Sequence, residues 1–108
     1  MKLADLVAYF RTGSTISDLI QRESLDAHSD QIVVYLKDSL DINSELVFIE
    51  IEKTNDDIEL VYNEKRYVGL FSLGQTHDII LDYLHSTKNS YSNIEIAENI
   101  LNYRINDA

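Results

Sequence analysis

A chain of 108 residues with 19 acids, nine bases, a formal charge of −10 and no cysteine has room for one ordinary core, with neither disulfides nor a thiolate metal site. Its apolar content of 44% and charged content of 26% are those of a folded domain. So negative a balance disfavours direct binding to nucleic acid or to an anionic membrane, and no apolar run approaches the ~18 residues of a membrane-spanning helix.

The opening "MKLADLVAYFR" is amphipathic and carries Asp5, which argues against a signal peptide. Leu3, Leu6, Val7 and Phe10 fall at helical spacing, with Gly13 as the stop. Ser14 or Thr15 caps a second helix that turns Ile16, Leu19 and Ile20 inward. Both helices are short and depend on tertiary packing. "QIVVYLKDSL" has two readings. Ile32, Val33, Leu36 and Leu40 fit a helix capped by Ser29, while the β-branched run equally suits a strand. The extension of the apolar spacing to Leu40 favours the helix.

The middle reads as an antiparallel meander of three strands at 46–52, 58–62 and about 66–72. A turn at Lys53–Asp56 pairs Ile51 with Ile58, Ile49 with Leu60 and Val47 with Tyr62, giving one apolar inner face. The same register sets Glu50 opposite Glu59, Phe48 opposite Val61 and Glu52 opposite Asp57. A tight turn at Asn63-Glu64-Lys65 leads to the third strand. Two helices close the chain. Thr76 caps the first, with Ile80, Leu81 and Leu84 inward. Ser92-Asn93-Ile94-Glu95 is a capping box with Tyr91 and Ile96 as its hydrophobic staple, and Ile94, Ala97, Ile100, Leu101 and Ile105 form the buried stripe. The expected architecture is a single α+β domain over residues 1–108, with helices covering one sheet face.

Catalytic signatures are not found. Serines, histidines and acids occur without a nucleophile context, and Gly13, Gly69 and Gly74 are too far apart to cradle a phosphate. Asp78, Asp82 and His85 share one face of the 76–87 helix and could in principle hold a divalent metal, but a solvated helix face is the simpler reading. No cofactor or metal is expected, and the chain reads as a binding protein rather than an enzyme. Stacking of RNA bases on Phe48, Tyr67 and Phe71 is opposed by Glu50, Glu52 and Glu59 on the same surface.

The charge distribution carries most of the functional signal. Residues 38–64 hold nine acids (Asp38, Asp41, Glu45, Glu50, Glu52, Asp56, Asp57, Glu59 and Glu64) and one base, Lys53, a net of −8. The other 81 residues carry ten acids and eight bases, a net of −2. Like charges facing each other across strands destabilise a sheet slightly, so folding alone would not select them. Acids spread in water and screened by salt are the bland alternative. The sharper reading joins them to Phe48, Val61 and Tyr67 on one face, as apolar anchors ringed by carboxylates that steer a basic protein. The candidate partner-binding residues are therefore Phe48, Glu50, Glu52, Asp56, Asp57, Glu59, Val61 and Tyr67.

Across the segments "MKLADLVAYFRTGS", "SELVFIEIEKT" and "EIAENILNYRINDA" the chain resembles the small immunity proteins of bacterial contact-dependent growth inhibition and related polymorphic toxin systems. The resemblance implies a cytoplasmic, non-enzymatic protein that neutralises the C-terminal domain of one cognate toxin, usually a nuclease, in a one-to-one complex. It implies no particular site residues. Two other readings stand beside it: an acidic adaptor or subunit for some other basic protein, and a small enzyme near His77, Asp82 and His85.

Overall fold

Residues 32–37 form a strand rather than a helix, and that strand organises the rest of the molecule. The computed structural model describes residues 1–25, 28, 31–54, 58–62, 64–86 and 90–107. Among these the chain runs α1 (Leu3–Arg11), α2 (Ile16–Arg22), β1 (Ile32–Lys37), β2 (Leu46–Glu50), β3 (Glu59–Tyr62), β4 (Lys65–Ser72), α3 (Leu73–Leu84) and α4 (Asn93–Asp107). The strands form one antiparallel sheet in the order β2-β1-β4-β3. The α+β class holds, but the three-stranded meander becomes a four-stranded sheet.

The helical reading of β1 depended on Leu40, which lies beyond the strand in the loop to β2. The run Ile32-Val33-Val34-Tyr35-Leu36 is apolar at every position because both sides of β1 are covered. Ile32, Val34 and Leu36 face the helices and are fully buried. Tyr35 points to the opposite side and is also buried. A strand covered on both faces loses the polar–apolar alternation that marks a half-buried one, so it resembles a helix segment in sequence.

The register of β2 follows from this neighbour. Val34 pairs with Phe48, Tyr35 with Val47 and Leu36 with Leu46. Leu46 and Phe48 therefore lie on the helix side and pack on the core, while Val47 and Ile49 face away. This reverses the expected inner face. The expected pairs Ile51–Ile58, Ile49–Leu60 and Val47–Tyr62 do not form, because β1 and β4 separate β2 from β3. After β2 the chain makes one 3-10 turn, Ile51–Lys53, and then Thr54, whose buried hydroxyl donates to Ile51 O at 2.7 Å. Ile51, Thr54 and Ile58 border a hollow with Val33, Tyr35 and Phe71, so these three residues lie over the side away from the helices.

The helices behave largely as their sequences require. Leu3, Leu6, Val7 and Phe10 of α1 are buried, and Gly13 follows with φ +95, a left-handed conformation that suits glycine. Thr15 caps α2 by accepting from Asp18 N–H, and Asp18 accepts from Thr15 N–H in return. The Ser92–Glu95 capping box forms in the same way. α3 starts four residues earlier than expected. Ser72 caps it by accepting from Gln75 N–H, whereas Thr76 is buried and donates its hydroxyl to Ser72 O. On α4 the buried stripe is Ile96, Ala97, Ile100 and Leu101, while Ile94 and Ile105 face solvent. α1 packs against α3 and α4, and α3 and α4 pack on β4.

Gly69 sits where β4 meets both neighbours. A Cβ there would lie 3.2 Å from Ile58 O and 3.4 Å from the Tyr35 ring. The Tyr35 ring therefore lies against bare backbone. Gly69→Ala is expected to destabilise the fold by about 1–3 kcal/mol, since the carbonyl is fixed by the Gly69 N–H bond and the ring is buried. Urea unfolding of the variant beside the wild type measures this directly.

Candidate partner-binding surface

The eight residues singled out from the sequence do not form one face. Glu50 and Glu59 lie on opposite edge strands with two strands between them, so they are not cross-strand neighbours. The pairing of Phe48 with Val61 falls with the same correction, and Glu52 lies in the 3-10 turn beyond β2. Asp56 and Asp57 lie outside the described residues. Glu59 pairs in register with Val68 and Val61 with Arg66, which places both acid and valine on the helix-facing side at the β3 edge. Leu60 and Tyr67 pair with each other and lie on the opposite side.

A subset does come together. Phe48, Glu50 and Tyr67 border one hollow of about 320 Å³, with Val47, Ile49 and Leu60 supplying apolar wall and Lys53 and Lys65 adding positive charge. That volume matches the small end of ligand-sized clefts. The apolar residues Val47, Ile49 and Leu60 were expected to share a face, and all three border this hollow.

Two of the acids are already matched by bases. Glu50, largely covered, has Lys53 Nζ at 3.7 Å, and Glu59 accepts from Arg66 at 2.6 Å. The like-charge repulsion inferred for these strands is therefore absent at both positions. All four arginines are held within the molecule. Arg11 donates to Asn93 Oδ1 and Tyr91 O, Arg66 to Glu59, and Arg104 to Gly69 O, while Arg22 lies 5.4 Å over the Tyr9 ring. By contrast Glu52, Glu64, Asp78, Asp82 and Glu98 are exposed and have no hydrogen bond or ion pair from their side chains among the described residues. The arginines are occupied, and these five acids are not.

The residues of the enzyme and metal readings are also placed. Asp78 and Asp82 are exposed on α3 and His85 is exposed just past its end, and among the described residues no three metal-type ligands gather in one place. His77 is half-buried and sets its ring edge-on to Phe10, with centroids 4.5 Å apart. Phe71 lies beside Tyr103 at 5.7 Å and is half-buried. No helix among the described residues is long and apolar enough to cross a membrane. Comparison with protein-family models, with curated proteins and with solved structures gives no match.

Burial lowers the His77 pKa below its ordinary value of 6.5, against a smaller upward pull from Asp78. The unfolded chain then binds a proton that the folded chain refuses. Stability contributed here is whole above pH 6.5 and falls as pH drops from there through the lowered folded value. His77→Phe keeps an aromatic ring beside Phe10 and is expected to flatten the stability–pH curve in that window. Urea midpoints across the window read the difference.

Proposed function

We propose that this chain is an immunity protein that binds and neutralises the C-terminal domain of a cognate toxin, a basic nuclease, by forming a one-to-one complex in the bacterial cytoplasm. The observation that carries the proposal is the asymmetry of the surface charge: every arginine is engaged internally, while acids at both ends of the sheet and on two helices stand free. A nuclease must present Lys and Arg to hold phosphates. A protein of charge −10 with its own arginines tied down attracts such a surface over the Debye length and repels the nucleic acid that competes for it.

The mechanism has two stages. Free carboxylates such as Glu52 and Glu64 raise the encounter rate. The apolar hollow of Val47, Ile49, Leu60 and Tyr67 then supplies area for a side chain of the toxin, with Phe48 and Glu50 at its border. Glu50 and Glu59 contribute less to steering than unpaired acids do, because Lys53 and Arg66 offset their charge.

Capture of the tagged chain from its own bacterium, with bound proteins identified by mass spectrometry, tests the class. A single basic nuclease-like fragment in equimolar amount is the expected result. A stoichiometric partner of another kind would select the adaptor reading, and no partner in cells shown to express the toxin would end the immunity reading. With the toxin domain in hand, Glu52→Lys combined with Glu64→Lys is expected to slow association about tenfold at low salt and to flatten its salt dependence. Stopped-flow mixing measures both, and unchanged rates would remove the electrostatic stage.

A further inference from the structure

The two edges of the sheet are finished differently. On β2 the outward N–H of Leu46 donates to Met1 O at 2.8 Å, and the Met1 ammonium binds Glu45 at 3.0 Å. The start of the chain thus covers the start of that edge. On β3, Gly69 N–H donates to Ile58 O at 2.7 Å, and the register continues through Leu60–Tyr67 and Tyr62–Lys65. Antiparallel bonding alternates, so Ile58, Leu60 and Tyr62 exchange bonds with β4 while Glu59 and Val61 turn N–H and C=O outward. Neither has a backbone partner on that side among the described residues. The side chains add to the exposure: Ile58 is 64% and Val61 73% accessible.

A bare edge with apolar side chains is a template for another strand. Local charge selects which strand. Glu59 is bonded to Arg66 at 2.6 Å and is the one charged residue of 58–62, so the strand itself carries no unmatched charge within a chain of net −10. It offers little net charge to hold a basic strand and little to repel a copy of itself. We propose that β3 pairs antiparallel with β3 of a second copy about a two-fold axis at Leu60, joining two four-stranded sheets into one of eight. In this register Glu59 faces Val61 of the second copy and Val61 faces its Glu59, each pair exchanging two backbone bonds. The outward groups of both residues are satisfied, and no glutamate opposes another.

The dimer forms without the toxin, so its test is separate from that of the proposed function. Sedimentation velocity of the full chain, from micromolar to near-millimolar concentration, is expected to show mass rising from 12.4 kDa toward twice that value. Val61→Glu sets a glutamate against Glu59 of the second copy and is expected to weaken the dimer about tenfold or more. Val61→Lys sets a lysine against the same glutamate and is expected to retain it. Urea midpoints close to wild type for both variants establish that folding is intact at this exposed site. A wild-type chain that stays monomeric throughout would overturn the proposal. Equal loss of the dimer in both variants would overturn the register. If the wild type is monomeric and Val61→Glu instead weakens toxin capture, the edge accepts a strand of the toxin and self-pairing is wrong.

Discussion

The fold depends on β1 being covered on both faces. Ile32, Val34 and Leu36 fill the space under α1, α3 and α4, while Tyr35 lies against Gly69 on the other side. Burying these residues supplies much of the apolar transfer that holds a small domain together. It also fixes the register of both neighbours. A one-residue slip would send Val34 and Leu36 to the side where Tyr35 packs, and would drive a phenol into the aliphatic core. The side away from the helices is correspondingly specific. Gly69 leaves room for a ring, and the segment from Ile51 to Thr54 passes across the same side. Few ordinary substitutions could preserve that contact.

Local chemistry was legible in the sequence where each signal was complete within a few residues. The apolar spacing of α1, the caps at Thr15 and Ser92 and the positions of three strands all follow from short-range rules. What sequence could not supply was strand order. Neighbouring strands usually pair, so 46–52 and 58–62 read naturally as a hairpin, yet the partner of β2 is the strand before it. The deciding fact was that 32–37 is a strand, and two-sided burial had erased its alternation. The N-terminus of α3 shows a similar competition. Ser72 ends β4 and caps α3 at once, leaving Thr76 free to sit in the core with its hydroxyl bonded one turn back.

The candidate site was less legible than the fold because it was built on the strand order. Once β2 and β3 occupy opposite edges, the described acids of residues 38–64 no longer share one face. Phe48 changes role: it packs on the core from the helix side and also borders the hollow. The partnership of Val47, Ile49 and Leu60 survived, since all three keep the same parity along their strands even though the strands never touch. The state of the arginines had no sequence signal. Arg11 and Arg104 are held by a carbonyl or an amide oxygen from a distant part of the chain, Arg66 by Glu59 on the adjoining strand, and Arg22 by the Tyr9 ring on the preceding helix. Composition counts charges but does not say which are spent internally.

The path from β2 to β3 divides the chain into two similar halves. The first contributes α1, α2 and the β1–β2 hairpin, and the second contributes the β3–β4 hairpin, α3 and α4. They meet along the β1–β4 seam, which carries a bulge between Val33 and Tyr35, and α1 crosses the boundary to pack on α3 and α4. Neither half can bury its own hairpin without the other. A ribosome that has released only the first half holds a hairpin whose central strand still lacks its second neighbour. The β1–β4 seam couples the folding of the two halves. Cutting the chain between the hairpins would leave two pieces whose mutual affinity follows the stability of the fold, less the effective concentration that the covalent connection supplies.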